Sequence, residues 1–264
     1  MKVASVTVTA MNHGLMSRFI PRTLFPIKAT GRSHQSQIIK KQLQCKTKET
    51  NRSLLWFNKT CMKETKPSKG AQTRQRIISE AASLFNRRGY HGGSLQDLMK
   101  ATGLEKGGIY RHFSSKEELA ALAFEHAWRE NFASRQTDLD VIPNSVDKIK
   151  QLITNFVERR PSVPGGCPLL NTAVDADDGN PLLRDRARKA LKGWQGRIES
   201  MIAEGIRSGE IRRGVDTRRV ANLIIASLEG ALMIARLERS EQALRDAAAH
   251  LHGYIETELR NQKR

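Results

Sequence analysis

The sequence predicts an all-α protein, with a three-helix unit near its N-terminus and a larger helical bundle after it. Three observations predict this architecture. From Gln72 onward, apolar residues recur almost everywhere at the spacing of a helical face. Serines that can act as N-caps precede several of these stretches, and glycines or prolines end most of them. Two of the early helices are short and joined by a glycine-containing turn, which is the helix-turn-helix arrangement.

The composition is strongly basic. Of 264 residues, 45 are Lys or Arg and 27 are Asp or Glu, which gives a formal net charge of +18. This length allows one large domain or two modest ones, each with its own core. No uninterrupted apolar run approaches the roughly 18 residues that a membrane span requires, so we expect no membrane-spanning segment and no membrane partner.

The cysteines indicate the cellular compartment. Cys45, Cys61 and Cys167 are too few and too scattered for a disulfide framework or for a zinc site with paired C-x-x-C ligands. We therefore expect a cytoplasmic protein with no metal and no cofactor.

The basic charge is concentrated in a leader, residues 1–69. It holds 14 Lys and Arg against only two acids, whereas residues 70–264 hold 31 against 25. The leader contains no Asp and shows neither a sustained helical nor a sustained strand pattern. Its composition predicts disorder.

Three interpretations of this leader stay open. A secretory signal matches weakly, because the stretch after Lys2 is rich in Thr and lacks a Leu core. A transit peptide fits the acid-poor composition better, but the helical sequence after the leader does not look organellar. We favour translation from Met62, since the residues after it form a short basic arm that leads straight into the first helix.

The first helix begins near Gln72. Its apolar face comprises Ile77, Ala81, Leu84 and Phe85, with charged residues on the other side. A glycine at position 89 closes the helix in this interpretation.

A second and a third helix come soon after it. Ser94 opens a capping box of the Ser-x-x-Asp kind, and Gly103 stops that helix after about two turns. Residues 107–113 form the next short helix. A serine just before Lys116 then caps a fourth helix that has acids in its first turn.

Residues around this third helix have the chemistry that DNA reading needs. A helix that enters the major groove must bring its backbone near the base edges, and the two glycines remove side chains that would prevent this. Lysine, tyrosine and histidine side chains at this place can bond phosphates, as can the amides of the helix capped by Ser94. The predicted DNA-binding residues are Ser94, Lys106, Gly107, Gly108, Tyr110, Arg111, His112 and Lys116.

These motifs carry a family resemblance. The segments Ser-Leu-Gln-Asp-Leu, Thr-Gly-Leu-Glu-Lys-Gly-Gly-Ile-Tyr-Arg-His-Phe and Ser-Lys-Glu-Glu-Leu lie within residues 73–119. This stretch closely resembles the DNA-binding domain of the TetR/AcrR family of bacterial transcription regulators. The sequence departs from the commonest family pattern at Glu105 and Gly108, which puts base contacts at those two positions in doubt, but not the fold.

The resemblance implies a fold and a function. Family members are all-helical homodimers that bind a palindromic double-stranded DNA operator, and most are repressors that a small effector releases. Carried over to this chain, Ser94 caps the second helix at a phosphate and Lys106 begins the recognition helix. Tyr110, His112 and Lys116 are then backbone contacts.

The rest of the chain is predicted to be the second domain of such a regulator. The domain boundaries are then 1–69 for the leader, 70–119 for the DNA-binding domain and 120–264 for effector binding and dimerisation. Helical stretches are expected over residues 116–138, 146–160, 183–208, 216–238 and 241–259, with breaks at Pro143, 161–166, Gly209 and Gly214.

The last two predicted helices offer faces for a dimer seam. Each carries an apolar stripe, and one stripe should be left over after the monomer core is filled. A four-helix seam between two copies would cover it, although packing within one chain explains any single residue better than an interface does. The predicted interface residues are Leu223, Ser227, Gly230, Ala231, Ile234, Leu244, Ala248, Leu251 and Ile255.

The effector site is predicted from aromatic residues and methionines on the helices that enclose the pocket in this family. Arg197 could bind an acidic ligand, but a solvated arginine is the simpler interpretation. For the other residues, packing in the core is the simpler interpretation. The predicted effector residues are Trp128, Phe132, Phe156, Trp194, Arg197, Met201 and Met233.

Cys167 supports an alternative hypothesis. It precedes Pro168 at a predicted helix N-terminus, which lowers the pKa of a thiol, so it could sense oxidants or electrophiles. A cysteine-dependent enzyme and a non-specific nucleic-acid-binding protein are further alternatives. The sequence lacks a phosphate loop ending in Gly-Lys-Ser/Thr, a nucleophile elbow and a His-Glu-x-x-His motif, so we expect no enzyme.

Overall fold

A computed structural model describes residues 68–176 and 179–262. The predictions for the leader, including its disorder and a start at Met62, lie outside these residues. Within them the protein is all-α, as predicted, with nine α-helices and a short π-helical turn.

Four helices make up the N-terminal part of the described chain. They are α1 (Lys69–Gly92), α2 (Leu95–Thr102), α3 (Lys106–Tyr110) and α4 (Lys116–Arg135). Gly89, at φ 74°, kinks α1 rather than ending it, so the helix extends one turn further than predicted. The left-handed conformation of Gly103, at φ 67°, ends α2 as predicted.

Five helices complete the fold. They are α5 (Ser145–Glu158), α6 (Pro168–Asp175), α7 (Pro181–Ser208), α8 (Thr217–Glu238) and α9 (Gln242–Tyr254), and the π-helical turn Ile255–Leu259 continues α9. The sequence indicated α6 only through its N-terminal Cys167-Pro168. Asn144, Asn180 and Asp216 cap α5, α7 and α8 with side-chain oxygens that accept backbone N–H groups.

Two apolar cores organise these helices. The smaller core joins α1 to α4 and includes Ile77, Leu98, Ile109 and Phe113, all at most 2% exposed. The larger core joins α4 to α9. Helix α4 contributes to both, so the predicted boundary at residue 119 falls within a continuous helix.

Helix α8 is long and largely apolar. Its length and composition would suit a membrane span, with a mean hydropathy of 1.6 over its most apolar 18 residues. The expectation from uninterrupted apolar runs did not identify it, because single charges interrupt the pattern. Val220, Ala221, Ile224 and Leu228 of this helix are buried in the larger core.

Candidate DNA-binding face and effector cavity

The short helix α3 has one buried and one exposed side. Ile109 is 1% exposed and anchors α3 to the smaller core. Lys106, Gly107, Tyr110 and Arg111 are exposed, while Gly108 and His112 are half-buried. Six of the eight predicted DNA-binding residues therefore lie on or next to one short helix, and four of them are open to solvent.

Gly107 has a free space where a side chain would be. A Cβ atom built there meets nothing within 4 Å, and φ at Gly107 is not positive. The protein's own packing therefore does not require glycine at this position. A partner that approaches the backbone of α3 closely would require it.

Ser94 forms the predicted capping box at the start of α2. Its Oγ accepts from the Asp97 N–H at 3.1 Å and donates to Asp97 Oδ2 at 2.6 Å. The hydrogen bonds from Ser94, followed by the nearby Arg88 guanidinium, hold the pKa of Asp97 below its usual range. The Ser94 hydroxyl is thus occupied within the protein, where it sets the start of α2.

Lys116 is held inside the protein rather than extended toward solvent. Its Nζ donates to the Tyr90 carbonyl at 2.7 Å and lies 4.4 Å from the centre of the Tyr90 ring. The Tyr90 hydroxyl donates to Glu117, which lowers the pKa of that carboxyl. Burial, followed by the Glu117 carboxylate, raises the pKa of Tyr90. This arrangement ties the end of α1 to the start of α4. The Lys116 ammonium has three N–H donors, so the predicted phosphate contact is compatible with these bonds.

A second set of polar contacts fastens α1 to the following domain. Asn86 is 8% exposed, and its Nδ2 donates to the carbonyls of Pro164 at 2.9 Å and Gly166 at 3.2 Å. Asn171 Nδ2 on α6 donates to Asn86 Oδ1 at 3.0 Å. The loop between α5 and α6 is thereby fixed against the DNA-binding core.

A cavity lies in the C-terminal domain, between α4, α5, α8 and the start of α9. Its volume is about 410 Å³. Phe156, Val157, Leu232 and Leu244 form much of its apolar wall. Its polar and charged wall residues are Asn131, Ser134, Arg135, Glu158, Arg159, Arg160, Arg236 and Glu241.

The predicted effector residues are only partly at this cavity. Phe156 lines it, and Trp194 stacks on Phe156 at 5.8 Å between ring centroids. Trp128 and Phe132 stack on each other at 5.1 Å and pack against the larger core. Trp194, at 2% exposure, is a core residue rather than a wall of this cavity, because Trp128 of α4 and Phe156 of α5 pack over it.

Three other predicted effector residues lie away from the cavity. Arg197 donates to Gln136 and pairs with Asp140 at 3.3 Å, beyond the end of α4. Met201 is 4% exposed and packs in the core, whereas Met233 is 51% exposed on the surface of α8. None of the three is a wall of the cavity, because each side chain points to another neighbour or to solvent.

Sequence reasoning missed the two buried polar residues of this cavity. Asn131 and Arg135 are 1% and 7% exposed and lie one turn apart on α4. The signal in the sequence is their i, i+4 spacing, which places both residues on the helix face that carries Trp128. Polar residues on a helix were instead assumed to face solvent.

The expected low thiol pKa of Cys167 is wrong. Cys167 is the N-cap of α6, and a hydrogen bond from the Leu170 N–H lowers the pKa of its thiol. Burial has the larger and opposite effect. Burial, followed by the charge of Glu229, raises the pKa of Cys167 to about 12. The thiol is 1% exposed. Redox sensing stays a prediction, but the Cys167 sulfur that it requires is protonated and buried in the structure.

The two predicted dimer stripes differ in the structure. Leu244 and Leu251 on α9 and Ile255 in the π-helical turn are at most 6% exposed within a single chain, so packing inside the monomer accounts for them. They fill the larger core, as does Ala231 of α8, while Ala248 is half-buried against it. The stripe left uncovered is on α8.

The uncovered stripe on α8 is apolar and continuous. Leu223 and Ile234 are 38% and 41% exposed, and the neighbouring Met233 and Leu237 are 51% and 78% exposed. Between them, Ser227 and Gly230 are half-buried, and a Cβ atom at Gly230 would meet nothing within 4 Å. A partner helix could therefore approach this face closely.

Comparisons with known proteins agree with this architecture. Residues 77–123 match the family described as bacterial regulatory proteins, tetR family, and residues 145–251 match the tetracyclin repressor-like, C-terminal domain. A TetR transcriptional regulator of known structure from Chloroflexus aurantiacus is 46% identical, with a TM-score of 0.70, and the alignment covers 74% of this chain and 99% of that one. The chain belongs to the TetR family. It is a ligand-responsive, DNA-binding regulator of transcription.

Curated members of the TetR family are more distant. The transcriptional repressor DhaR of Mycobacterium sp. (strain GP1) is 27% identical over 172 residues, which cover 65% of this chain and 86% of DhaR. The fatty acid metabolism regulator protein of Bacillus subtilis is 25% identical, with 58% of this chain and 78% of that protein covered. These relatives are regulators of transcription or metabolism by name, in keeping with the architecture of this TetR-family chain.

Proposed function

We propose that this protein is a cytoplasmic, homodimeric repressor, without enzymatic activity, that a small molecule releases from a palindromic operator. The observation that carries the proposal is the exposed side of α3, where Lys106, Tyr110 and Arg111 surround a glycine that the fold itself does not require. DhaR, a relative over most of its length, is a repressor by name.

The charges around α3 support binding to a polyanion. Residues 68–119 contain nine Lys and Arg against five Asp and Glu. Lysine and arginine contacts to phosphates displace counterions, which makes the affinity for DNA fall steeply with salt. Tyr110 and His112 add hydrogen-bonding groups that fix the register of the helix on the duplex.

The uncovered stripe on α8 supports the homodimer. Exposed Leu, Met and Ile side chains in one continuous line are uncommon on a monomer and typical of an interface. A twofold axis through this stripe lets two α3 helices meet successive major grooves, about 34–36 Å apart.

Helix α4 supports control by a ligand. It contributes to the core beneath α3 at one end and carries Asn131 and Arg135 of the cavity at the other. A ligand that binds more tightly to one orientation of α4 shifts the dimer toward or away from the spacing that fits DNA.

A selection from random-sequence duplex DNA, followed by mobility-shift titration, tests this function. We expect the full-length protein to enrich a palindrome. Lys106→Gln should weaken binding and lower the slope of log K against log salt by about one, as expected for one lost phosphate contact. Lys192→Gln, at an exposed lysine of α7, is the matched control and should change neither quantity. Absence of any enriched palindrome, or equal effects of the two variants, contradicts the proposal.

A further inference from the structure

The wall of the cavity of about 410 Å³ includes a buried arginine that has no direct ion-pair partner in the described part of the chain. Arg135 is 7% exposed. None of the ion pairs formed by residues 68–176 and 179–262 includes it. Its guanidinium lies 3.9 Å from the centre of the Phe156 ring and 4.0 Å from Cys167 Sγ. A buried guanidinium normally has a carboxylate or phosphate partner, because burial removes the water that stabilises its charge.

The buried acid Glu229, beside Cys167, does not form an ion pair with Arg135 in the described part of the chain. Burial raises the pKa of Glu229 and outweighs the opposing effects of the thiol and of Arg135. Arg135 still acts on the Glu229 carboxyl electrostatically, so the two groups interact at a distance, without the direct ion pair that a buried guanidinium normally has.

A second buried donor lines the same cavity. Asn131 is 1% exposed, and its Oδ1 accepts from the Val163 N–H at 3.1 Å, which fixes the orientation of the amide. Its Nδ2 then has no hydrogen-bond partner among the described residues. Buried donors almost always have an acceptor, so this one indicates an acceptor group on a ligand.

The remaining walls define the rest of the ligand. At the rim, Arg160 and Arg236 form no ion pair among the described residues, while Arg159 pairs with Asp138 at 3.0 Å. The other side is apolar and includes Phe156 and Leu232. Two acids, Glu158 and Glu241, also lie on the wall, but the arginines outnumber them. Two buried donors, an excess of cations and an apolar wall suit a molecule with an anionic head and an apolar body.

We infer that the effector is an amphipathic organic carboxylate, whose head binds Arg135 and Asn131 and whose apolar body lies against Phe156 and Leu232. This inference rests on the proposed function, because it identifies the class of molecule that controls it. The planar guanidinium fork matches the two oxygens of a carboxylate, and the Asn131 amide supplies a third hydrogen bond.

Isothermal titration of the full-length protein with three matched probes tests the inference. The probes are 4-phenylbutyrate, its neutral amide 4-phenylbutanamide and the cation 4-phenylbutylamine. We expect the carboxylate to bind at least about ten times more tightly than the amide, because charge-assisted hydrogen bonds replace neutral ones. The amine should bind more weakly than either. Equal affinities for the carboxylate and the amide, or no heat from the carboxylate at millimolar concentration, overturn the inference.

Three variants locate the site. Arg135→Met removes the charge at similar volume, and Asn131→Asp keeps the acceptor for Val163 but replaces the free donor with an anionic oxygen. Both should lower the affinity for the carboxylate to about that for the amide. Arg129→Met, at an exposed arginine of the same helix, should leave it unchanged. If either folded cavity variant, checked by circular dichroism, keeps the preference for the carboxylate, the inference is wrong.

Operator binding without ligand separates this inference from the proposed function. A protein that enriches a palindrome but does not prefer the carboxylate contradicts only the ligand class. A protein that prefers the carboxylate but enriches no palindrome contradicts only the function.

Discussion

The side chain of Asn131 joins the cavity to the DNA-binding core through Val163. Asn131 Oδ1 accepts from the Val163 N–H at 3.1 Å, and Val163 is 7% exposed within the core of α1 to α4. Asn131 also lines the cavity. A ligand group that moves Asn131 therefore acts on a loop residue that belongs to the core of α1 to α4. This is a short physical route between the two domains.

Asn86→Ala should destabilise the protein by loosening the same loop. Asn86 Nδ2 donates to two loop carbonyls, and its Oδ1 accepts from Asn171, so the substitution leaves buried groups without partners. We expect a loss of about 1–3 kcal/mol in the free energy of unfolding, measured with urea. Arg87→Ala, at the exposed neighbour, should change it by less than about 0.5 kcal/mol. Equal effects of the two would show that the loop contacts contribute little.

Gly107→Ala should separate stability from DNA binding. The new methyl group meets no protein atom, and alanine favours helix over glycine by about 0.5–1 kcal/mol, so the melting temperature should stay the same or rise. Operator affinity should fall at least about tenfold if the backbone of α3 lies against the base edges. Thermal unfolding and mobility-shift titration on the same preparation measure both.

Gly103→Ala is the contrasting variant, because Gly103 has a positive φ of 67°. It should lower the melting temperature through backbone strain. Unchanged operator affinity of Gly107→Ala would show that the backbone of α3 stays away from the DNA.

Ile234→Asp should dissociate the dimer. The side chain is 41% exposed in the middle of the α8 stripe, where a partner would bury the new carboxylate without a counterion. We expect a weakening of association of at least about 100-fold, seen as monomer mass in light scattering at micromolar concentration. Val174→Asp, at a 76% exposed valine of α6, should leave the mass unchanged. A dimeric Ile234→Asp protein would assign the interface to another face.

The helix boundaries could be predicted from sequence because local contacts set most of them. The capping box of Ser94 and Asp97 and the left-handed turns at Gly103 and Gly209 each involve residues within a few positions of one another. Such signals are present in any short window of sequence. The kink at Gly89 was less predictable, since Asp175 Oδ2, from α6, accepts from the Tyr90 N–H beside it at 2.6 Å.

The cavity could not be predicted, because burial of a polar residue depends on which helices cover it. Arg135 is buried only because Phe156 of α5 and Trp194 of α7 close over it. Similarly, an apolar stripe predicts that one side of a helix is covered. It does not tell whether the same chain or a partner chain covers it. The stripe of Leu251 on α9 is covered within the monomer, whereas that of Ile234 on α8 is exposed.

In the Glu256→Gln variant, the free energy of unfolding should fall less steeply with decreasing pH than in the wild type. Glu256 pairs with Lys150 at 2.7 Å and with Arg260 Nε at 2.6 Å, and hydrogen bonds from Arg260 and Lys150 lower its pKa to about 2. A carboxyl whose folded pKa is lowered stabilises the fold above its unfolded pKa of about 4.5, and this stabilisation is lost as the pH falls toward 2.

Urea unfolding at pH 7, 4 and 3 measures this effect. Because the pair is partly exposed, we expect the variant to lose about 1 kcal/mol or less at pH 7, and the difference from wild type to shrink as the pH falls. Glu258→Gln, at an exposed glutamate of the same turn, is the control. A difference that does not change with pH would show that Glu256 acts through packing rather than through charge.

Cys167 should be inert in the folded protein. Its thiol is 1% exposed, and a pKa of about 12 leaves fewer than about one thiolate in a thousand at pH 8, whereas iodoacetamide reacts with thiolate. Peptide mass spectrometry after alkylation should find Cys167 unmodified in native buffer and modified in urea. The other two cysteines are resolved as separate peptides in the same digest. Alkylation of Cys167 in native buffer at the rate of a free thiol would mean that an open state exposes the sulfur, and it would favour a redox-responsive regulator over one that responds to an anion alone.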